Sequence, residues 1–192
     1  MTDTNRRYDL LRYLQDARDA LLWKLDGLSE YDVRRPLTPT GTNLLGLLKH
    51  LTGVELGYLS DTFGRAHSEP LPDFKGDEDP NADMFATADE SREEIIERYR
   101  RAWALSDASV RELPLDTVGT VPWWPKERGQ VTLHHVLVRV LSDTQRHAGQ
   151  ADILREGLDG LVGYRQDNDS LPPLDWEQHH ARLEEIAAPF KA

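Results

Sequence analysis

The 192-residue chain contains no cysteine. Disulfides, thiolate metal ligands and a cysteine nucleophile are therefore excluded together, and the absence fits a reducing compartment. No apolar run reaches the roughly 18 residues needed to cross a bilayer, so no membrane span is expected. The opening residues, MTDTNRRYDLLRYLQDA, lack the apolar block and small-residue cleavage site of a secretory signal, and a cytoplasmic location is expected. Neither Gly-x-Ser-x-Gly nor Gly-x-Gly-x-x-Gly occurs, so the sequence carries no serine-nucleophile elbow and no dinucleotide fingerprint. Positive charge is scarce. Lys and Arg number 23 against 34 Asp and Glu, for a net charge of −11. That balance works against neutralising phosphates, and nucleic acid is excluded as a partner.

What is present describes a globular protein, with 39% hydrophobic and 30% charged residues. The length suits a single domain over residues 1–192. Four long segments show helical periodicity. Tyr8, Leu11, Leu14, Ala17, Leu21 and Leu25 mark a helix from about Asn5 to Leu28. A second opens at Thr42 or Asn43 as N-cap and runs to about Phe63, with Gly64 as its stop signal. The polar stretch from His67 to Asp83 reads as a loop or crossover. Residues Thr87 to Ser91 precede a third helix, with Ile95, Ile96, Tyr99, Ala102 and Trp103 on its apolar side. Pro114 to Gly129 is irregular, and a fourth helix spans Val131 to Glu156 before Gly157 and Gly160. A short helix over Asp175–Ala187 completes an all-α four-helix bundle with long crossover loops and no sheet.

Three residues stand out chemically. Asp143 and His147 are four apart, which puts them on one helix face about 40° apart. Such a pair is either an ordinary helix-surface contact or two ligands for one ion. His50 is flanked by Leu47, Leu51 and Val54 on a strongly apolar helix, with Lys49 marking the wet side. It is either a hydrogen-bonded core histidine or a third ligand. An inward Asp143 needs positive charge nearby, which a divalent cation supplies. Two imidazoles and a carboxylate form a facial set that leaves positions open for water or substrate.

The strings LLKHLTGVE and SDTQRHAGQADILREGLDG resemble the signature regions of the DinB-like superfamily. That superfamily includes the mycothiol-dependent maleylpyruvate isomerases and related thiol S-transferases. PNADMFATADESREEIIERYRRAW and PWWPKERGQVTLHHVLVRVLSDTQRHAGQADILREGLDG extend the likeness, within it, to the mini-circle branch, from about Thr38 to Gly163. The resemblance implies a DinB-like four-helix bundle and a metal triad of His50, Asp143 and His147. It implies one divalent ion, zinc or nickel first, with iron, cobalt and manganese as further candidates. The implied partners are a small-molecule thiol (mycothiol or bacillithiol) and an electrophilic substrate, in an S-transferase or isomerase. A homodimer paired through a helix face is compatible with it. The competing readings are a non-enzymatic metal-binding stress-response protein and a metal-dependent hydrolase.

Many relatives carry His or Glu where this chain has Asp143, and the shorter aspartate must bring its helix nearer the ion. Arg139 stands where some relatives place a His; either coordination does not need that position or Arg139 faces an anionic substrate group. His135 reads as a pocket residue or one supporting the ligands, or else, together with His134, as a surface or packing residue near the helix start. Trp123 and Trp124 either wall the mouth of a pocket or plug the bundle end. Gln150 and Arg155 are structural or support the ligands, and Glu55 is a candidate to orient a metal-bound histidine.

Overall fold

The helical periodicity of the sequence becomes an all-α bundle in the computed structural model, which describes residues 3–70 and 79–191. Among the described residues, the helices are α1 (Asp3–Trp23), α2 (Glu30–Arg34), α3 (Leu44–Leu59), α4 (Arg92–Glu112), α5 (Leu133–Asp159) and α6 (Trp176–Ala187). The expected caps set several boundaries. The Asn43 side chain accepts a hydrogen bond from the Gly46 N–H, Ser91 from Glu94, and Thr132 from His135. Gly64 and Gly160 adopt the left-handed conformation at φ 65° and 78°, closing the turn after α3 and the end of α5. Part of the expected His67–Asp83 loop, residues 71–78, lies outside the described residues.

Two features depart from expectation. The first helix stops at Trp23, and the chain turns before the one-turn helix α2. Gly27, at φ 74°, supports that turn in a backbone region costly for other residues. The Pro114–Gly129 connection also delivers a small sheet: β1 (Val118–Thr120) pairs antiparallel with β2 (Gln130–Thr132). Strands of three residues are too short to display an alternating pattern, so pairing of the backbone alone defines them.

The four long helices close a ring in which α3 packs on α4 and α5, and α1 on α5 and α4. Helix α3 is the central one. All its residues are buried except Lys49, His50 and Val54. Leu44, Leu45, Leu47, Leu48 and Leu51 join Leu21, Leu25, Ile95 and Tyr99 in one apolar cluster, while Tyr58 and Leu59 join Leu14, Val136, Leu137 and Val140 in another. Each fully buried leucine contributes about 1.5–3 kcal/mol.

A charged group also crosses this core. Arg18 is fully buried and donates to both carboxylate oxygens of Glu55, at 2.6 and 2.5 Å, and to Asp107 at 2.9 Å. Burial alone would lower the Arg18 pKa, but the Glu55 carboxylate outweighs it and the net direction is up. Burial likewise pushes the nearby Tyr99 hydroxyl upward, so it stays neutral. These partners tie α1, α3 and α4 together. Glu55 is thus a core ion-pair residue and does not orient a ligand; five residues beyond His50, it lies about 140° around the helix.

Candidate metal centre

His50 occupies the gap in the burial of α3, and its side chain faces α5. There it meets Asp143 and His147. The His50 Nε2 atom is 4.0 Å from Asp143 Oδ2, and His147 Nε2 is 3.8 Å from Asp143 Oδ1. The two imidazole rings stand edge to face with centroids 5.0 Å apart. One donor atom from each of the three residues lies within 4.8 Å of the others. These separations are too long for hydrogen bonds, so the three groups do not satisfy one another directly.

They are suited to sharing an ion instead. A triangle of donor atoms no more than 4.8 Å on a side has a point within about 2.8 Å of every corner. Zinc binds histidine nitrogen and carboxylate oxygen at roughly 2.0–2.2 Å, which a small contraction provides. Asp143 makes no hydrogen bond within the described residues, and these two longer approaches are its contacts with charged or ring nitrogens. Its side chain is one-third exposed, at 32%, so the centre is open on one side.

The outer nitrogens of both histidines are held. His50 Nδ1 is 2.6 Å from Asp83 Oδ2, and a carboxylate at that distance accepts the Nδ1 proton. His147 Nδ1 is 2.7 Å from Gln150 Oε1, an acceptor that fixes the same tautomer. In both rings the Nε2 lone pair is left facing Asp143. This is the arrangement in which outer partners orient metal-binding imidazoles. Charge is also balanced: Asp83 and Asp143 contribute two negative charges beside two neutral imidazoles, matching a divalent cation.

Helix α3 itself positions Asp83. Asn43 Nδ2 donates to the Met84 carbonyl at 3.2 Å, and Lys49 Nζ to the Phe85 carbonyl at 3.1 Å and Glu90 at 2.7 Å. Lys49 is therefore tied down and half-buried, not on the wet side of the helix. Between them, Gly46 lets the Ala82–Met84 turn rest on the helix backbone. A β-carbon there would lie 1.8 Å from the Met84 carbonyl oxygen. Sequence reasoning left Asp83 in an irregular stretch; only the turn of loop onto helix reveals it, and no local pattern announces the pairing.

The remaining candidates divide. Gln150 supports His147, whereas Arg155 is structural: it binds Asp159 and donates to the Lys24 and Asp26 carbonyls beyond the end of α1. Trp123 and Trp124 pack edge-to-face on Tyr58, and Trp124 donates to the Tyr58 hydroxyl at 3.3 Å. Gly57 makes room for Trp123, whose ring would be 2.8 Å from a β-carbon there. Arg139 lies over the Tyr58 and Trp124 rings, at 5.1 and 5.3 Å, and His135 meets Trp124 edge-on. Beside the metal centre, an open groove of about 780 Å³ runs along α5 and is lined by His135, Arg139, Ser142, Asp143 and Arg146 among others. Trp124 thus touches both Arg139 and His135, two residues of the groove lining, while Trp123 packs on Tyr58.

Among the described residues, no helix is long and apolar enough to cross a membrane. A family model described as mycothiol-S-transferase matches residues 9–160, a span that contains the whole bundle core and all three candidate ligands. A search of curated proteins finds no match.

Proposed function

The chain belongs to the mycothiol-S-transferase family, and from that premise we propose that it is a divalent-metal-dependent transferase of a low-molecular-weight thiol. His50, Asp143 and His147 are the proposed ligands, and zinc or nickel the proposed ion. A divalent ion at this centre supplies positive charge that lowers the pKa of a thiol brought to it, giving a nucleophile near neutral pH.

The protein's own groups do the rest. His50 and His147 present Nε2 in one defined tautomer because Asp83 and Gln150 accept their outer protons. Asp143 brings negative charge that attracts a cation to the space between the two imidazoles. Three protein donors leave coordination positions open for an exchangeable ligand, as catalytic sites require, whereas structural zinc sites use four protein donors. The groove along α5 has Asp143 in its lining, so an electrophile lying in it passes beside the thiol. The observation that carries this reading is the convergence of the three donor atoms within 4.8 Å, in a chain of this family.

Water in place of thiol would make the same centre a hydrolase; family membership favours the thiol. The test is thermal unfolding with mycothiol, bacillithiol, glutathione and cysteine, using zinc-loaded and chelator-treated protein. Metal-dependent stabilisation by mycothiol or bacillithiol is expected. Stabilisation by none of the thiols would rule out the transferase reading.

A further inference from the structure

The residues of α5 that do not point at the metal form a second stripe. His135, Arg139, Ser142 and Arg146 recur at steps of four, three and four, so they share one face. Asp143 and His147 form the neighbouring stripe, centred roughly 90° further around the helix. The groove therefore has a cationic floor running alongside the metal ligands. Arg139 lies about one turn, or roughly 6 Å along the axis, before Asp143.

Both arginines are exposed on this face of α5, whereas more buried arginines of the chain hold carboxylates: Arg18 holds Glu55, Arg98 holds Glu69 and Arg155 holds Asp159. Arg139 and Arg146 have no ion pair or hydrogen bond among the described residues, although acidic residues are in excess. Arg139 is nevertheless held in place, because its guanidinium rests on the faces of Tyr58 and Trp124. Stacking of this kind covers the face of the fork and leaves its N–H edges free to bind an anion.

We propose that Arg139, with Arg146, forms a subsite that binds the carboxylate of the electrophilic substrate while its reactive carbon lies toward Asp143. The assignment of substrate rests on the thiol-transferase reading, but the anion subsite itself needs only the groove and the two arginines. A planar carboxylate matches one guanidinium edge in a bidentate pair. A dianion such as phosphate is less suited, since Asp143 lines the same groove. Neutral electrophiles would be poorer substrates because they leave both guanidinium groups unanswered.

The probe is 4-chloro-3-nitrobenzoate, compared with its methyl ester, which has the same reactive carbon and no charge. In transfer, the thiol sulfur forms a bond to the ring carbon, chloride leaves with the bonding pair, and the thiol proton passes to solvent. Binding is measured first, without thiol, by calorimetry on zinc-loaded and zinc-free protein. Wild-type protein is expected to bind the acid about tenfold more tightly than the ester in both forms. Arg139→Met and Arg146→Met should each reduce that preference to about two- to threefold, and the double variant should abolish it, with circular dichroism and zinc content unchanged. With thiol present, kcat/KM should show the same order.

Equal affinity for acid and ester in wild-type protein would overturn the proposal. So would a preference that survives in the double variant, because the carboxylate would then be bound by the metal or elsewhere. The two readings fail separately. Efficient transfer to the neutral ester with no acid preference would leave the transferase standing and remove the subsite. An acid preference in protein that uses no thiol would do the reverse.

Discussion

Replacing Asp83 with Asn probes the outer support of the metal centre without greatly changing its shape. Asn can still accept from His50 Nδ1 through its amide oxygen, so the substitution removes charge and leaves a hydrogen bond. The 2.6 Å contact, the width of an imidazole ring and a metal–nitrogen bond put the carboxylate about 7 Å from a bound ion. Coulomb's law for charges of +2 and −1 at that distance gives about 1 kcal/mol at the dielectric constant of water and about 5 kcal/mol at an effective value of 20. Asp83 is buried on a half-exposed centre, which places the effect between those bounds. Loss of outer partners typically weakens metal binding by about 10–100-fold, or roughly 1.4–2.7 kcal/mol, inside the same interval. Asp83→Asn should therefore weaken zinc binding about tenfold, and Asp83→Ala, which also frees the imidazole to rotate, by up to about 100-fold. Competition against a chromogenic chelator measures both. Unchanged zinc affinity in a folded Asp83→Asn variant would refute the role given to this carboxylate.

Gly46→Ala would drive a β-carbon into the Met84 carbonyl and push the Asp83 turn off α3. It should cost about 1–3 kcal/mol in chemical denaturation and weaken zinc binding about as much as Asp83→Asn; wild-type affinity would show that the turn can shift without consequence. Glu55→Ala leaves the buried Arg18 guanidinium with Asp107 as its remaining carboxylate and should lower stability by up to about 3–5 kcal/mol, while zinc content per folded chain stays the same. A loss below about 1 kcal/mol would mean that water reaches Arg18. Asp159 is held below its ordinary pKa chiefly by the hydrogen bond from Arg155, against the desolvation that raises it. A depressed folded pKa stabilises above the unfolded value of 3.8, and that stabilisation is lost as pH falls through the folded value. Asp159→Asn should thus be less stable than wild type at neutral pH, by under about 1 kcal/mol, with the gap closing below about pH 4; a gap independent of pH would exclude the linkage.

The bundle was legible because its helices carry apolar residues at helical spacing and conventional caps at Asn43, Ser91, Thr132 and Gly160. The Asp143–His147 pair was visible for the same reason, since residues one helical turn apart leave a local trace. His50 was legible only as an odd polar residue on an apolar helix. Its environment depends on which side of α3 lacks cover, and that is set by packing against α5. Asp83 had no signature, because it reaches His50 from 33 residues away on a turn held by Gly46 and Asn43. Glu55 was misread because closeness along a helix differs from sharing a face. Arg139 stands in the sequence as a departure with two open readings, and its rest on Tyr58 and Trp124 depends on the hairpin connection folding back over α3.

Anomalous diffraction at the zinc edge, from crystals of untagged protein grown with zinc, addresses the shared ion itself. One peak per chain is predicted, within bonding distance of His50 Nε2, an Asp143 oxygen and His147 Nε2, and absent in His147→Ala. A peak elsewhere, or none between α3 and α5, would contradict the metal centre and everything built on it.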